Sequence, residues 1–298
     1  MNDSQPHLFC FGLGYSAQIL ANLLMDKGWH ISGTHRPHPR EDAVVDVETL
    51  PFERNLALQG FDQIFKNVTH VLISIPPDAA GCPVLDLHGE DIARHAPHIQ
   101  WVGYLSTVGV YGNTDGRPVN ETSRLLPTQE RSRFRGLAET RWQNLAVRTA
   151  LKLSVFRLAG IYGPGRNPFE KIRQGKAQRI SMPNHLFSRI HVNDIANVLS
   201  ASINNPHLSG IYNVCDDEPA APSDVIKYAC ELLNEPVPVE ISFAEASKTM
   251  SPMAQSFWAD NRLILNDKIK EKLGVELLYA HYQQGLESIL TEEQENLS

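Results

Sequence analysis

Seven short apolar runs, rich in Val, Ile, Leu and Phe, alternate along the chain with longer stretches whose apolar residues recur at helical spacing. The runs fall at residues 7–11, 30–34, 43–47, 70–75, 99–105, 153–158 and 211–214, and the helical stretches at 15–27, 84–95, 128–148 and 194–204. Each run is short and almost continuously apolar, which predicts strands covered by helices on both faces, hence an α/β fold with a doubly wound parallel sheet. With 298 residues, 42% of them hydrophobic and 20% charged, the chain can bury one large core and a smaller lobe. The regular alternation breaks after Arg157, where "AGIYGPGRNP" packs Gly and Pro into a loop at a strand's carboxyl end. Such loops are where open α/β sheets hold ligands. Residues 1–165, completed by 189–215, are expected to form the sheet domain, and 166–188 with 216–298 a small C-terminal cap lobe.

The first strand-to-helix junction reads "GLGYSA". Gly12 suits a tight turn, Gly14 lets a phosphate approach the backbone, and Ala17 allows the helix to pack closely, with Tyr15 at the helix start. A helix N-terminus at this place favours a pyrophosphate, so the turn predicts a Rossmann-type NAD(P) site. A bare strand-turn-helix also needs glycine, so the motif is weak by itself. The next strand, "WHISGTHR", ends without the carboxylate that an NAD ribose usually finds; His35 and Arg36 suit a 2′-phosphate instead, which favours NADP over NAD. Alternatively Arg36, like Arg40, is a solvated base in a Pro-rich loop.

Composition closes other routes. A formal net charge of −7 without a basic stripe argues against nucleic acid. Cys10, Cys82, Cys215 and Cys230 have no metal-like spacing and read as packed free thiols. The N-terminus has no signal-like or membrane-spanning stretch, so no membrane partner and a cytoplasmic protein are expected. Acidic "CDDEPA" lacks a second cluster to complete a metal site, so none is expected; it reads as a loop before a helix capped by Ser223.

Three later stretches, "YLSTVGVYG" at 104–112, "RLAGIYGPGR" at 157–166 and "RIHVNDIA" at 189–196, join the glycine turn and Asp46 of "VVDVE" in one order. This ordered set resembles the extended and atypical short-chain dehydrogenase/reductases, the NAD-dependent epimerase/dehydratase group. The resemblance implies that Thr107, beside Ser106, bonds the reacting oxygen of a small-molecule substrate. It places Asp46 at the adenine, Ser74 to Pro77 with Ile75 and Pro76 along the adenosine, and Leu158 with Ala159 at the nicotinamide. Thr107 could instead only cap a strand end. By analogy to the family, a homodimer through the long helices is expected.

The chain departs from the family where proton transfer is done. Family members carry Tyr-x-x-x-Lys before a glutamate; anchoring on Glu139 puts Arg135 at the lysine and Arg131 at the tyrosine. In the family the lysine holds the ribose and lowers the phenol's pKa from about 10. Arg135 could keep the ribose contact and the charge, but a guanidinium cannot shuttle a proton. Tyr111, just past Thr107, is the nearby phenol to consider as a substitute. Arg131 or Arg133 could polarise a carbonyl, or form an ordinary solvated helix face.

Phe187 and Gly160 stand where nucleotide-sugar members carry arginine and asparagine, which speaks against such a substrate. His185, Arg189 and His191 could line the cleft or serve as packing and capping residues. The sequence therefore predicts an oxidoreductase or epimerase on an unidentified small molecule, or else a non-catalytic NADP(H)-binding sensor or regulatory protein.

Overall fold

The structure, a computed structural model, describes residues 5–37 and 47–296. Seven parallel strands form its main sheet: β1 His7–Phe11, β2 His30–His35, β3 Glu48–Pro51, β4 His70–Ile73, β5 Trp101–Thr107, β6 Leu153–Leu158 and β7 Ile211–Val214. Their spatial order is β7-β6-β5-β4-β1-β2-β3, so the winding reverses between β1 and β4. Chain positions Phe9 and Cys10 face Ser32 and Gly33 of β2 on one side, and Val71 and Leu72 of β4 on the other. The expected strand over 43–47 lies outside the described residues except for Val47, and β3 begins at Glu48.

Alternation along each strand sends its side chains to two separate cores. Leu8 and Cys10 of β1, with Leu72 and Phe156, pack under α1 (Tyr15–Met25) and residues Ile195, Val198 and Leu199. Phe9 and Phe11, with Val71 and Tyr104, pack under α2 (Pro83–His95) and α3 (Glu130–Thr149). Helix α1 presents Ser16, Ala17, Leu20, Ala21 and Leu24 inward at helical spacing, and the small residues among them let it lie close to the sheet.

The remaining longer helices are α4 (Val192–Asn204), α5 (Pro222–Leu233), α6 (Asp267–Leu273) and α7 (Tyr282–Glu295). Helix α4 starts two residues earlier than the sequence pattern suggests, because His191 accepts from the Asn193 amide and caps it. Helix α5 likewise starts at Pro222 after Ala221, not at a Ser223 cap; proline's fixed φ suits the first helical position, and Ser223 is buried inside the turn. Tyr162, Phe169, Ala229, Tyr282 and Leu286 build a third core between α5 and α7, apart from the sheet. The C-terminal stretch is not all in that lobe: Ile264, Ile269, Leu273 and Val275 join the core on the α1 side of the sheet. Among the described residues no helix is long and apolar enough to cross a membrane.

Candidate functional site

The chain leaves β1 at Gly12 with φ +86°, a conformation that favours glycine, and a Cβ there would lie 2.8 Å from Ile75 Cγ1. The turn hangs on β2. Gly12 N–H donates to Thr34 Oγ1 at 2.8 Å, and Leu13 N–H to the Thr34 carbonyl at 2.9 Å. Gly14, extended at φ −93°, caps α1 without a side-chain hydrogen bond, and a Cβ on it would meet nothing within 4 Å. The first-turn amides of α1 therefore have no capping side chain, and the space before them is open. An uncapped N-terminus carries roughly half a positive charge, so it is suited to an anion. It sits at the reversal of strand order, where open sheets bind dinucleotides.

The other expected cofactor residues surround this turn. Ile75 donates its N–H to the Phe11 carbonyl at 3.2 Å and packs beneath Gly12, while Pro76 is exposed beside it. Ala17 is fully buried. Tyr15 donates its hydroxyl to the Pro164 carbonyl at 2.8 Å and carries the Arg166 guanidinium 4.5 Å from its ring centre, tying the turn to the "YGPGR" loop. Burial pushes the Tyr15 phenol up to about 12, so it remains a donor. His35 and the exposed Arg36 close β2, with His35 Nδ1 2.5 Å from the Arg36 carbonyl. Asp46 and Arg40 lie outside the described residues. Leu158 is buried in the sheet core, and Ala159 N–H donates to the Val214 carbonyl at 3.0 Å.

At the end of β5 two adjacent hydroxyls diverge. Ser106 turns inward and donates to Glu139 Oε1 at 2.5 Å. Thr107 turns outward, half-buried, and its Oγ1 accepts from the Gly109 amide at 3.1 Å. It does cap, yet capping uses only a lone pair; the hydroxyl proton is still available to a substrate oxygen. Arg135 reaches the same strand end, donating to the Leu105 carbonyl at 2.5 Å with its guanidinium 5.8 Å from the Tyr104 ring centre.

Sequence reasoning missed Ser132. It is buried, and its Oγ lies 2.5 Å from where a Gly109 Cβ would be, with Thr107 Oγ1 3.4 Å from that same point. The two hydroxyls thus converge over Gly109. The only signal was that glycine, whose meaning depends on which side chain crosses it.

The structure corrects the expectation for Tyr111. Its hydroxyl donates to Asn213 Oδ1 at 2.6 Å and accepts from Arg157 at 2.9 Å, and the residue is 1% exposed. Burial raises this phenol's pKa, the opposite of what a proton-abstracting tyrosinate needs. Arg157 also binds Glu139, with Nη2 2.7 Å from Oε2, so Ser106, Glu139, Arg157, Tyr111 and Asn213 form one buried network. This network locks α3 against β5 and β6 and so sets the position of Arg135.

Arg131 and Arg133 part company. Arg133 is exposed and faces Glu130 at 3.7 Å, an ordinary helix-surface pair. Arg131 donates to Ser256 Oγ at 3.1 Å and lies 4.3 Å from the Phe257 ring centre. Thr128 donates to Asp260 at 2.6 Å, and Arg262 to the Gly112 carbonyl at 3.1 Å, so residues 256–262 pack against the start of α3 and the turn at Gly112. His185 packs with its ring centre 4.8 Å from that of Phe187 and 5.7 Å from that of Trp258, and His191 serves as the α4 cap; burial lowers the pKa of His191 to about 4. Among the described residues no group of three His, Cys, Asp or Glu side chains is placed to hold a metal ion.

No protein-family model matches the chain. A conserved protein of unknown function from Silicibacter pomeroyi DSS is 46% identical, with 97% of this chain and 99% of that one covered at a TM-score of 0.89. Protein YeeZ of Escherichia coli K12 is 26% identical over 229 residues, 73% of this chain and 79% of its own length. Two more distant structures share the fold. They are dTDP-glucose 4,6-dehydratase from Bacillus anthracis in complex with NAD (16% identity, 98% and 97% coverage, TM-score 0.76) and a human epimerase family protein with NADPH (15% identity, 96% and 99% coverage, TM-score 0.70).

Proposed function

We infer that this chain, which belongs to one family with the Silicibacter pomeroyi protein and has the fold of the extended and atypical short-chain dehydrogenase/reductases, binds a nicotinamide dinucleotide and acts as an oxidoreductase or epimerase on a small molecule. One observation carries this reading: the uncapped N-terminus of α1, opened by Gly12 and Gly14 at the reversal of strand order. A built turn with open space over Gly14 fits a pyrophosphate, because the amides supply the donors and no side chain competes. Arg36 beyond β2 supports NADP as the preferred dinucleotide.

When bound, the nicotinamide supplies a hydride acceptor or donor. The chain's own residues orient and polarise. Thr107 donates its hydroxyl proton to the substrate oxygen, which stabilises charge developing there. Arg135 holds the ribose and keeps a positive charge at the end of β5. Without a phenol and ammonium pair, general acid-base help worth ~10²–10⁴ in rate is lost, so turnover is slow unless substrate or water carries the proton.

A second reading follows from Arg131, at the position of the family's tyrosine: it is engaged with Ser256 and Phe257. In this reading the protein is a non-catalytic NADP(H)-binding sensor or regulatory protein. Fluorescence titration with NADPH and NADH tests the binding itself. Tighter NADPH is expected, preference for NADH removes the role of Arg36, and uptake of neither overturns the reading. A screen of carbonyl compounds for NADPH oxidation, run with wild type and Thr107→Ala, separates enzyme from sensor. Loss of rate in the variant is expected of the enzyme; equal rates would remove Thr107, and no oxidation at all would favour the sensor.

A further inference from the structure

A cavity of about 280 Å³ opens between the 162–168 segment and helices α5 and α7, with Arg166, Arg189, Tyr162, Tyr282, Val225 and Leu286 in its wall. Neither Thr107 nor Arg135 lines it. Its chemistry is uneven in a way that packing alone does not explain. Arg189 spends one nitrogen on the carbonyls of Phe187 at 2.8 Å and Ala220 at 2.9 Å, which pins the guanidinium in the wall. Among the described residues no carboxylate comes within ion-pair distance of Arg189 or Arg166. The Tyr162 hydroxyl is buried and has no hydrogen-bond partner. Burial lowers the pKa of Arg189, and the nearby Asp216 carboxyl, which makes no ion pair with it, offsets this only in part.

A fixed guanidinium with a second one at the mouth recognises an anion, and a planar carboxylate matches its fork of donors. The remaining walls, Val225, Leu286 and the Tyr282 ring, offer apolar surface that a bare inorganic ion would leave uncovered. We propose that this cavity binds a small organic carboxylate, its oxygens on Arg189 and Arg166 and its apolar body against Val225, Leu286 and Tyr282. Arg166 also lies over the Tyr15 ring, so the cavity adjoins the glycine turn without sharing its amides.

The test is isothermal titration of the full chain with benzoate and with inorganic phosphate, no nucleotide present, so the result stands apart from the dinucleotide reading. Saturable benzoate binding is expected, weakened by about tenfold or more in Arg189→Gln and in Arg166→Gln, because each removes a charge-assisted contact. Arg166 is exposed, so Arg166→Gln remains informative if Arg189→Gln fails to fold. No saturable heat from benzoate, or wild-type affinity in Arg166→Gln, overturns the proposal. Phosphate binding as tightly as benzoate overturns the organic carboxylate in favour of a general anion. Loss of benzoate binding in Thr107→Ala would place the probe at the end of β5 and overturn the site.

Discussion

Gly12 and Gly14 stand two residues apart and carry different loads. Gly12→Ala forces a side chain into φ +86° and against Ile75, and is expected to cost ~1–3 kcal/mol of stability together with the dinucleotide. Gly14→Ala meets no atom in the protein, so thermal unfolding should stay near wild type while NADPH affinity falls by about tenfold or more, the methyl occupying the phosphate's approach. Calorimetry and fluorescence titration read the two effects separately; wild-type affinity in Gly14→Ala would move the phosphates off this turn. Both glycines were legible, since their chemistry is local to the turn. Tyr111 and Ser132 were not. A phenol near Thr107 in sequence is sealed by Asn213 and Arg157, whereas a serine from α3 lands beside Thr107 only because that helix crosses β5 where it does.

Helix α3 illustrates what an element contributes. Much of its outer face is charged and solvated, and its inner face holds Ala138, Trp142 and Leu145 together with the buried carboxylate of Glu139. Glu139 accepts from Ser106 and pairs with Arg157, both from neighbouring strands, so the helix is keyed to the sheet by one residue. Glu139→Ala leaves Arg157 charged and unpaired in the core and is expected to cost ~3–5 kcal/mol. Chemical denaturation measures this. A loss under about 1 kcal/mol, the value of a surface pair, would mean that water reaches Arg157. The helix's span was readable from periodicity. Its partners were not, because Glu139 and Arg157 lie 18 residues apart on elements whose relative placement comes from the sheet.

Across the whole molecule, buried titratable groups set the pH range of stability. Burial lowers the pKa of His7, His70 and His191 to about 4, with His30 contributing at His7. Their unfolded forms bind protons that the folded forms refuse, so stability is lost as pH falls from about 6.5 toward 4, on the order of 3 kcal/mol each. Asp216 runs the other way. Its buried carboxyl is raised to about 8, the folded state holds a proton that the unfolded chain releases, and stability is lost as pH rises from about 4 to 8. Below pH ~6.5 the three histidines outweigh Asp216 and Asp194, whose carboxyl burial also raises, and above it Asp216 dominates, so the unfolding temperature should peak near pH ~6.5. Asp216→Asn should flatten the alkaline side, and a wild-type profile already flat between pH 6.5 and 8 would contradict this.

The sequence by itself determined the parallel α/β sheet, the glycine turn and the loop after β6, because each rests on neighbours within a few residues: apolar period, φ preference, chain reversal. Thr107 and Arg135 were singled out only through the family resemblance, and the fold brings both to the end of β5. Tertiary structure alone decided that Tyr111 is a core anchor, that Arg131 joins the 256–262 segment, and that Arg189 faces a cavity with Arg166. The first two depend on surfaces that meet after the chain has folded back across more than a hundred residues, and the third on helix α7 closing over the 162–168 segment; side-chain charge or polarity gains its role only from what lies opposite.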